Sequence, residues 1–282
     1  MQGNLSGRAR SAVVLVLASL TLLACAVCSE FGERVLVGLF GPPSVRATEV
    51  HPVSGDGVFD HSQFERLLER FVDGEGLVDY AGLERERGAL GRYIAAIGAA
   101  PFDALGRDDK LALLINAYNA FTLMLVLDHR PINSIRDIPA DARWEAKRWR
   151  VGGAVLSLDE LEHRWIRPNF VEPRIHFALV CAARGCPPLR RDAYDGARLQ
   201  QQLEEQARMV HSDPRWFRFE GDPGTAWMTA LYSWYGGDFD QVSGSTLSYA
   251  ARYSAELAAA LADGREVSVR YLDYDWSLNE QP

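Results

Sequence analysis

The chain has 282 residues, 48% hydrophobic and 24% charged, with a formal net charge of −8 at pH 7. That is an ordinary globular balance, long enough for one large core or two small ones. The acidic balance excludes a general nucleic-acid binder, which needs a basic face, and clusters such as "ARWEAKRWRV" read as solvated surface.

The chain opens on a targeting segment, expected over residues 1–28. Arg8 and Arg10 precede the uncharged run "AVVLVLASLTLLACAV", shorter than a membrane span and suited to a secretory signal. Two endings stay open: lipid attachment at Cys25 after "LLA", or ordinary cleavage after "ACA". Export is expected either way, to the periplasm, the cell envelope or the medium. Membrane contact is expected only through a lipid on Cys25. Residues 29–57, with "GPPS" and "SGDG" punctuation and no sustained period, read as a tether, and the folded body is expected over 58–282.

In the body, "FDHSQFERLLERFV" puts Phe64, Leu67, Leu68, Phe71 and Val72 on one helical stripe, with Asp60 and Gln63 as a capping box. "GEGLVDYAGL" reads as a loop with a short extended piece. "ERERGALGRYIAAIGA" is a second helix burying Leu90, Tyr93, Ile94 and Ile97. Asp108 caps the longest helix, "DDKLALLINAYNAFTLMLVLDH", apolar around most of its circumference and therefore central. Its Asn116 and Asn119 share one face, where buried amides must find partners. They either orient a catalytic group or tie down a neighbouring segment.

"WRVGGAVLSL" reads as a hairpin. Ser157 and Glu160 form a capping box opening the helix "LDELEHRWIRP", which Pro168 stops. "RIHFALVC" has the length and apolar content of a buried strand, with "AARGCPP" as its turn. An amphipathic helix, "DGARLQQQLEEQARMVH", and a strand, "RWFRFE", follow. A helix in "WMTALYSWYGGDF" is ended by Gly236 and Gly237, one helix spans "STLSYAARYSAELAAALAD", and "EVSVRYLDYDW" is the last strand. The architecture is α+β, a single helix-rich domain with a small, mostly antiparallel sheet.

Several of these segments, "LLINAYNAFTLMLVLDHRPINSIRDI", "LSLDELEHRWIRP", "RIHFALVCAARGCPPLRRDAY", "SWYGGDF" and "VRYLDYDWSLN", resemble the domain of unknown function 547 family in order and spacing. The resemblance covers nearly all of the chain from about Val58 onward. Bacterial members resemble this chain in their export signal and paired cysteines. Plant members share the "IEH" and "FALxC" elements but often lack the second cysteine, which implies that Cys181 and His163 matter more than Cys186. Leu114 departs from the pattern, standing where an aromatic often precedes "INAYN". A similarity to papain-like cysteine hydrolases and transferases implies a papain-like fold.

The body's only cysteines are Cys181 and Cys186. His176 and Cys181, on one strand, would stand about 16 Å apart on opposite faces, whereas a nucleophile and its base meet at about 3 Å. The better base is His163, brought over by tertiary packing. Glu162 is turned away from it by about 100° on an α-helix. Asn116 or Asn119 would orient the histidine, with His176 behind it. A thiolate beside an imidazolium supports thiol-dependent hydrolysis or acyl transfer on a small-molecule or peptide substrate. Alternatively, a Cys181–Cys186 disulfide stiffens a non-catalytic envelope module that binds or scaffolds. C-x-x-x-x-C is not the redox C-x-x-C, and paired C-x-x-C zinc spacing is absent. The aspartates of "GGDFD" and "YLDYDW" read as loop and strand-edge polar residues, so neither metal nor cofactor is expected.

Overall fold

A computed structural model of the chain describes residues 42–50, 55 and 57–282, so the expected signal, with Cys25 and Cys28, lies outside the described residues. Helix α1 (Ser62–Phe71) buries Phe64, Leu67, Leu68 and Phe71, as their spacing requires. Its expected capping box does not form. Asp60 accepts from the Ser62 N–H at 2.8 Å, and Gln63 reaches the Ala89 carbonyl. The expected loop and extended piece are present as far as Val78, which bridges Val72 and Glu280, and a short helix, α2 (Tyr80–Arg85), capped by Asp79, follows them. Helix α3 (Arg87–Gly98) buries Leu90, Tyr93 and Ile97.

The domain is organised around α4 (Arg107–His129), buried almost without a break from Lys110 to Leu127. Its N-cap is Gly106, and Asp108 sits in the first turn paired with Arg107. Strands β1 (Trp149–Val151) and β2 (Ala154–Leu156) form the expected antiparallel hairpin. Its turn is Gly152–Gly153, both at positive φ, where a side chain would be strained. Helix α5 (Leu158–Glu160) starts on the Ser157–Glu160 capping box and passes into a π-helical turn, Leu161–Ile166.

The largest departure is "RIHFALVC". It is a 3-10 turn, Pro173–Phe177, followed by irregular chain, not a strand. After α6 (Leu199–Ser212), strands β3 (Phe217–Glu220) and β4 (Thr225–Met228) pair antiparallel, and β5 (Ser268–Tyr271) joins β4 in parallel. Trp227 and Met228 therefore belong to a strand. Helix α7 (Leu231–Trp234) ends before Gly236, and that glycine opens α8 (Gly236–Ser243) instead of closing a helix. The expected last helix is two, α9 (Thr246–Ala250) and α10 (Ala255–Ala262), capped by the Ser245 and Ser254 side chains. The fold is α+β and helix-rich, with two small sheets.

Two connections position the site. Residues 44–50, expected in the tether, are bonded to the body, with Thr48 N–H on the Pro168 carbonyl at 2.9 Å and Ala47 N–H on Gln241 at 2.9 Å. At the other end, Ser277, Leu278 and Glu280 make single bridges to Ser134, Ala183 and Val78. The C-terminal segment is thereby laid against the cysteine loop.

Two histidines are buried as neutral rings. His61 bonds the Tyr93 hydroxyl at 2.7 Å, and His211 bonds the Ala207 carbonyl and the Tyr232 hydroxyl, each at 2.7 Å. Burial pushes both pKa values down to about 4. Between there and the ordinary histidine value the unfolded chain binds protons that the folded chain refuses, so stability falls as pH falls. Urea unfolding is expected to lose about 2 kcal/mol for each ring between about pH 7 and about pH 5. A pH-independent midpoint over that interval would contradict their burial.

Candidate functional site: a buried thiol pair and an acid–base cluster

The site begins with two asparagines on α4. Asn119 donates to the Ala178 carbonyl at 3.0 Å and accepts from the Val180 N–H at 2.9 Å. Asn116 does the same to Tyr194, at 2.7 and 3.0 Å. Each carboxamide thus replaces the partner that a neighbouring strand would have offered, and the loop backbone is satisfied inside the core. Just beyond Val180, Ala182 takes φ +63°, a left-handed conformation costly for a residue with a Cβ. That turn lets the Cys181 N–H point back at the Cys186 sulfur, 3.1 Å away.

Both cysteines are free thiols, Cys186 buried and Cys181 half-buried. The Cys186 Sγ lies 2.9 Å from the Tyr274 hydroxyl and accepts the Cys181 N–H. Cys181 Sγ is 3.3 Å from the same hydroxyl. Burial alone would raise the Cys186 pKa, but the bonds from Cys181, Tyr274 and the backbone outweigh it and draw it down. Cys181 moves the opposite way, held up first by its bond to Cys186 and then by burial. The first proton lost by the pair therefore leaves its charge on Cys186, with Cys181 as the S–H donor.

An acid–base cluster lies nearby. The Arg167 N–H reaches back five residues to the Glu162 carbonyl at 2.9 Å, the defining bond of a π turn. In that turn Glu162 is buried and His163 is half-buried. Burial would raise the Glu162 carboxyl, yet His163, His176, the Tyr235 hydroxyl and Arg167 together hold it low. His163 Nδ1 is 3.1 Å from the Arg167 guanidinium, and its Nε2 is 3.7 Å from Asp159. His176 bonds Asp238 at 2.8 Å and stacks on Tyr235 at 3.8 Å. Arg167 grips both oxygens of Asp238, at 2.8 and 2.9 Å. Against the effect of burial, the bonds from His176 and Arg167 bring Asp238 down to about 2. For His176, burial outweighs the bond to Asp238 and holds its pKa below the ordinary histidine value. Burial first, and then the charges of Glu162 and of the thiol pair, raise the Tyr118 and Tyr235 hydroxyls, and the Tyr235 hydroxyl also bonds Glu162.

Of the residues singled out from sequence, Cys181 and Cys186 are brought together, and Glu162, His163 and His176 share the second cluster. The expected His163–Cys181 contact is not made, because both imidazole nitrogens face Arg167 and Asp159 and the Cys181 sulfur faces Cys186 and Tyr274. Asn116 and Asn119 orient backbone, not an imidazole. Glu162, expected to turn away from His163, comes within 4.0 Å of its Nδ1, because the π turn breaks the 100° spacing assumed for an α-helix. Sequence reasoning missed Tyr118, Arg167, Tyr235, Asp238 and Tyr274. Tyr118 lies between the two asparagines, and the last three fall in "SWYGGDF" and "YDW", whose spacing carried the resemblance but no role. Among the described residues, no group of three or more His, Cys, Asp and Glu side chains is placed to hold a metal ion.

A model of the family described as a protein of unknown function, DUF547, matches residues 102–209. This segment is a DUF547 domain. It contains α4, the π turn and both cysteines, whereas Tyr235, Asp238 and Tyr274 lie beyond it. No curated protein and no solved structure matches the chain.

Replacing Asn119 by Ala leaves the Ala178 carbonyl and the Val180 N–H unpaired in the core, at roughly 1–3 kcal/mol each. Chemical unfolding of Asn119→Ala should show that loss, together with faster hydrogen exchange around Val180. Thr122, one turn on, has a buried hydroxyl without a partner among the described residues. Thr122→Val is therefore expected to be neutral or stabilising by about 1 kcal/mol, and a large destabilisation would count against the burial assigned to that hydroxyl.

Proposed function

We propose that this protein is an exported, thiol-dependent enzyme, a hydrolase or acyl transferase acting on a small-molecule or peptide substrate. The observation that supports this reading is the sulfur pair, in which one thiol is held in the donor environment of a thiolate and hydrogen-bonds the other. Cys181, the more exposed sulfur, attacks the acyl carbon while its proton crosses to the Cys186 thiolate. The leaving group departs with that proton, and Cys181 is left as a thioester. Water, or a second acceptor, then cleaves the thioester, releasing the acyl product and restoring the Cys181 thiol. Glu162 acts on the pair through Tyr118 and Tyr235, and His163 acts on Glu162, so both are positioning groups in this scheme. Export, with or without a lipid on Cys25, belongs to the proposal and rests on the N-terminal sequence.

A second reading keeps the protein non-catalytic, as an envelope module stiffened by a Cys181–Cys186 disulfide. Its support is the same closeness of the sulfurs, which two-electron oxidation by an envelope disulfide would join. Alkylation with iodoacetamide across pH, followed by peptide mapping, separates the two. The enzyme reading expects Cys181 to react with an apparent pKa below the ordinary thiol value of about 8.5. In Cys186→Ala that value should rise to the ordinary range or above, with the rate near neutral pH slowed on the order of tenfold. Failure of either thiol to react before reduction would support the disulfide instead.

A further inference from the structure

Two arginines, Arg136 and Arg143, make no ion pair among the described residues. Arg143 closes the one-turn helix Ala140–Arg143, and its Nε is shielded from solvent with no hydrogen-bond partner among the described residues. Its guanidinium lies over the Trp144 ring, 5.6 Å from the centroid. Arg136 lies over Trp276 at 5.3 Å, the Trp276 ring is 4.6 Å from that of Tyr274, and the Tyr274 hydroxyl is 3.3 Å from the Cys181 sulfur. Burial and the like charge of Arg136 both work against the Arg143 cation, and the Cys181 charge acts in its favour.

A buried guanidinium nitrogen without an acceptor is costly, and a second cation nearby adds to the cost. Stacking on an aromatic face leaves the in-plane N–H fork free, and that fork matches the two oxygens of a carboxylate. We propose that Arg143, with Arg136 beside it, forms a carboxylate-binding subsite of the thiol centre. The acyl substrate therefore carries a negative charge close to the bond that is cleaved. The substrate assignment rests on the thiol-dependent reading above, whereas the anion subsite itself does not.

The test compares two alkylating agents of nearly the same shape, iodoacetate and iodoacetamide, on the full folded chain. The rate ratio of the anionic to the neutral reagent is referred to that of glutathione. It is expected to exceed the glutathione ratio on the order of tenfold and to fall back to that ratio in Arg143→Gln, the iodoacetate rate dropping by more than the iodoacetamide rate does. Arg136→Gln should reduce the preference in part, and Arg143→Lys, which keeps the charge but not the fork, should fall between. Tryptophan fluorescence titrated with succinate gives an independent readout, expected to saturate in the native chain and not in Arg143→Gln. Thiols inert to both reagents, with a saturable Arg143-dependent succinate response, would sink the enzyme reading and uphold the subsite. A glutathione-like ratio with no Arg143-dependent saturation would overturn it.

Discussion

The arrangement depends on one carboxamide. Asn119 projects from a helix locked by burial on almost every face, and its two ends hold the backbone on either side of Leu179. Buried loop backbone is tolerated only when its polar groups are paired, and here the pairing comes from a side chain rather than a strand. Freed from a β-ladder, the chain turns sharply at Ala182 and points the Cys181 N–H at the Cys186 sulfur. The turned loop is then bonded to the C-terminal segment that carries Tyr274, with Arg184 N–H on the Ser277 carbonyl, Gly185 N–H on the Asp275 carbonyl and Asn279 N–H on the Ala182 carbonyl.

The same economy of means governs the charges. Arg167 neutralises Asp238, and the pair, with His176 held between Asp238 and Tyr235, lies around the buried Glu162 carboxylate. The π turn is the local cause, since a regular α-helix would alter the order in which Glu162, His163 and Arg167 meet the interior. The cluster and the sulfur pair are separate charge centres that both act on two phenols, the buried Tyr118 and the half-buried Tyr235. In that setting a proton gained or lost at one centre changes the field at the other without direct contact.

Periodicity made the apolar faces of α1, α3 and α4 legible, and the Ser157–Glu160 capping box could be read residue by residue. The glycine turn of the hairpin was equally plain. "RIHFALVC" was not, because a run satisfied by an amide 59 residues earlier has the same apolar signature as a strand. Gly236 and Gly237 misled for a related reason: glycine marks a break without saying which side of it is helical. The two asparagines were visible as buried amides, and one of the two jobs open to them, tying down a segment, is the one they perform. The partners that complete the site, Tyr274 for the thiols and Asp238 for His176, come from 88 and 62 residues along the chain, beyond the reach of local pattern.

The most direct test of this account is an NMR titration of the chain labelled with 13C at cysteine Cβ. The account predicts reduced shifts for both residues, with Cys186 titrating first, below the ordinary thiol range, and Cys181 following only at much higher pH. Cβ shifts typical of a disulfide, or two thiols titrating independently at ordinary values, would contradict it.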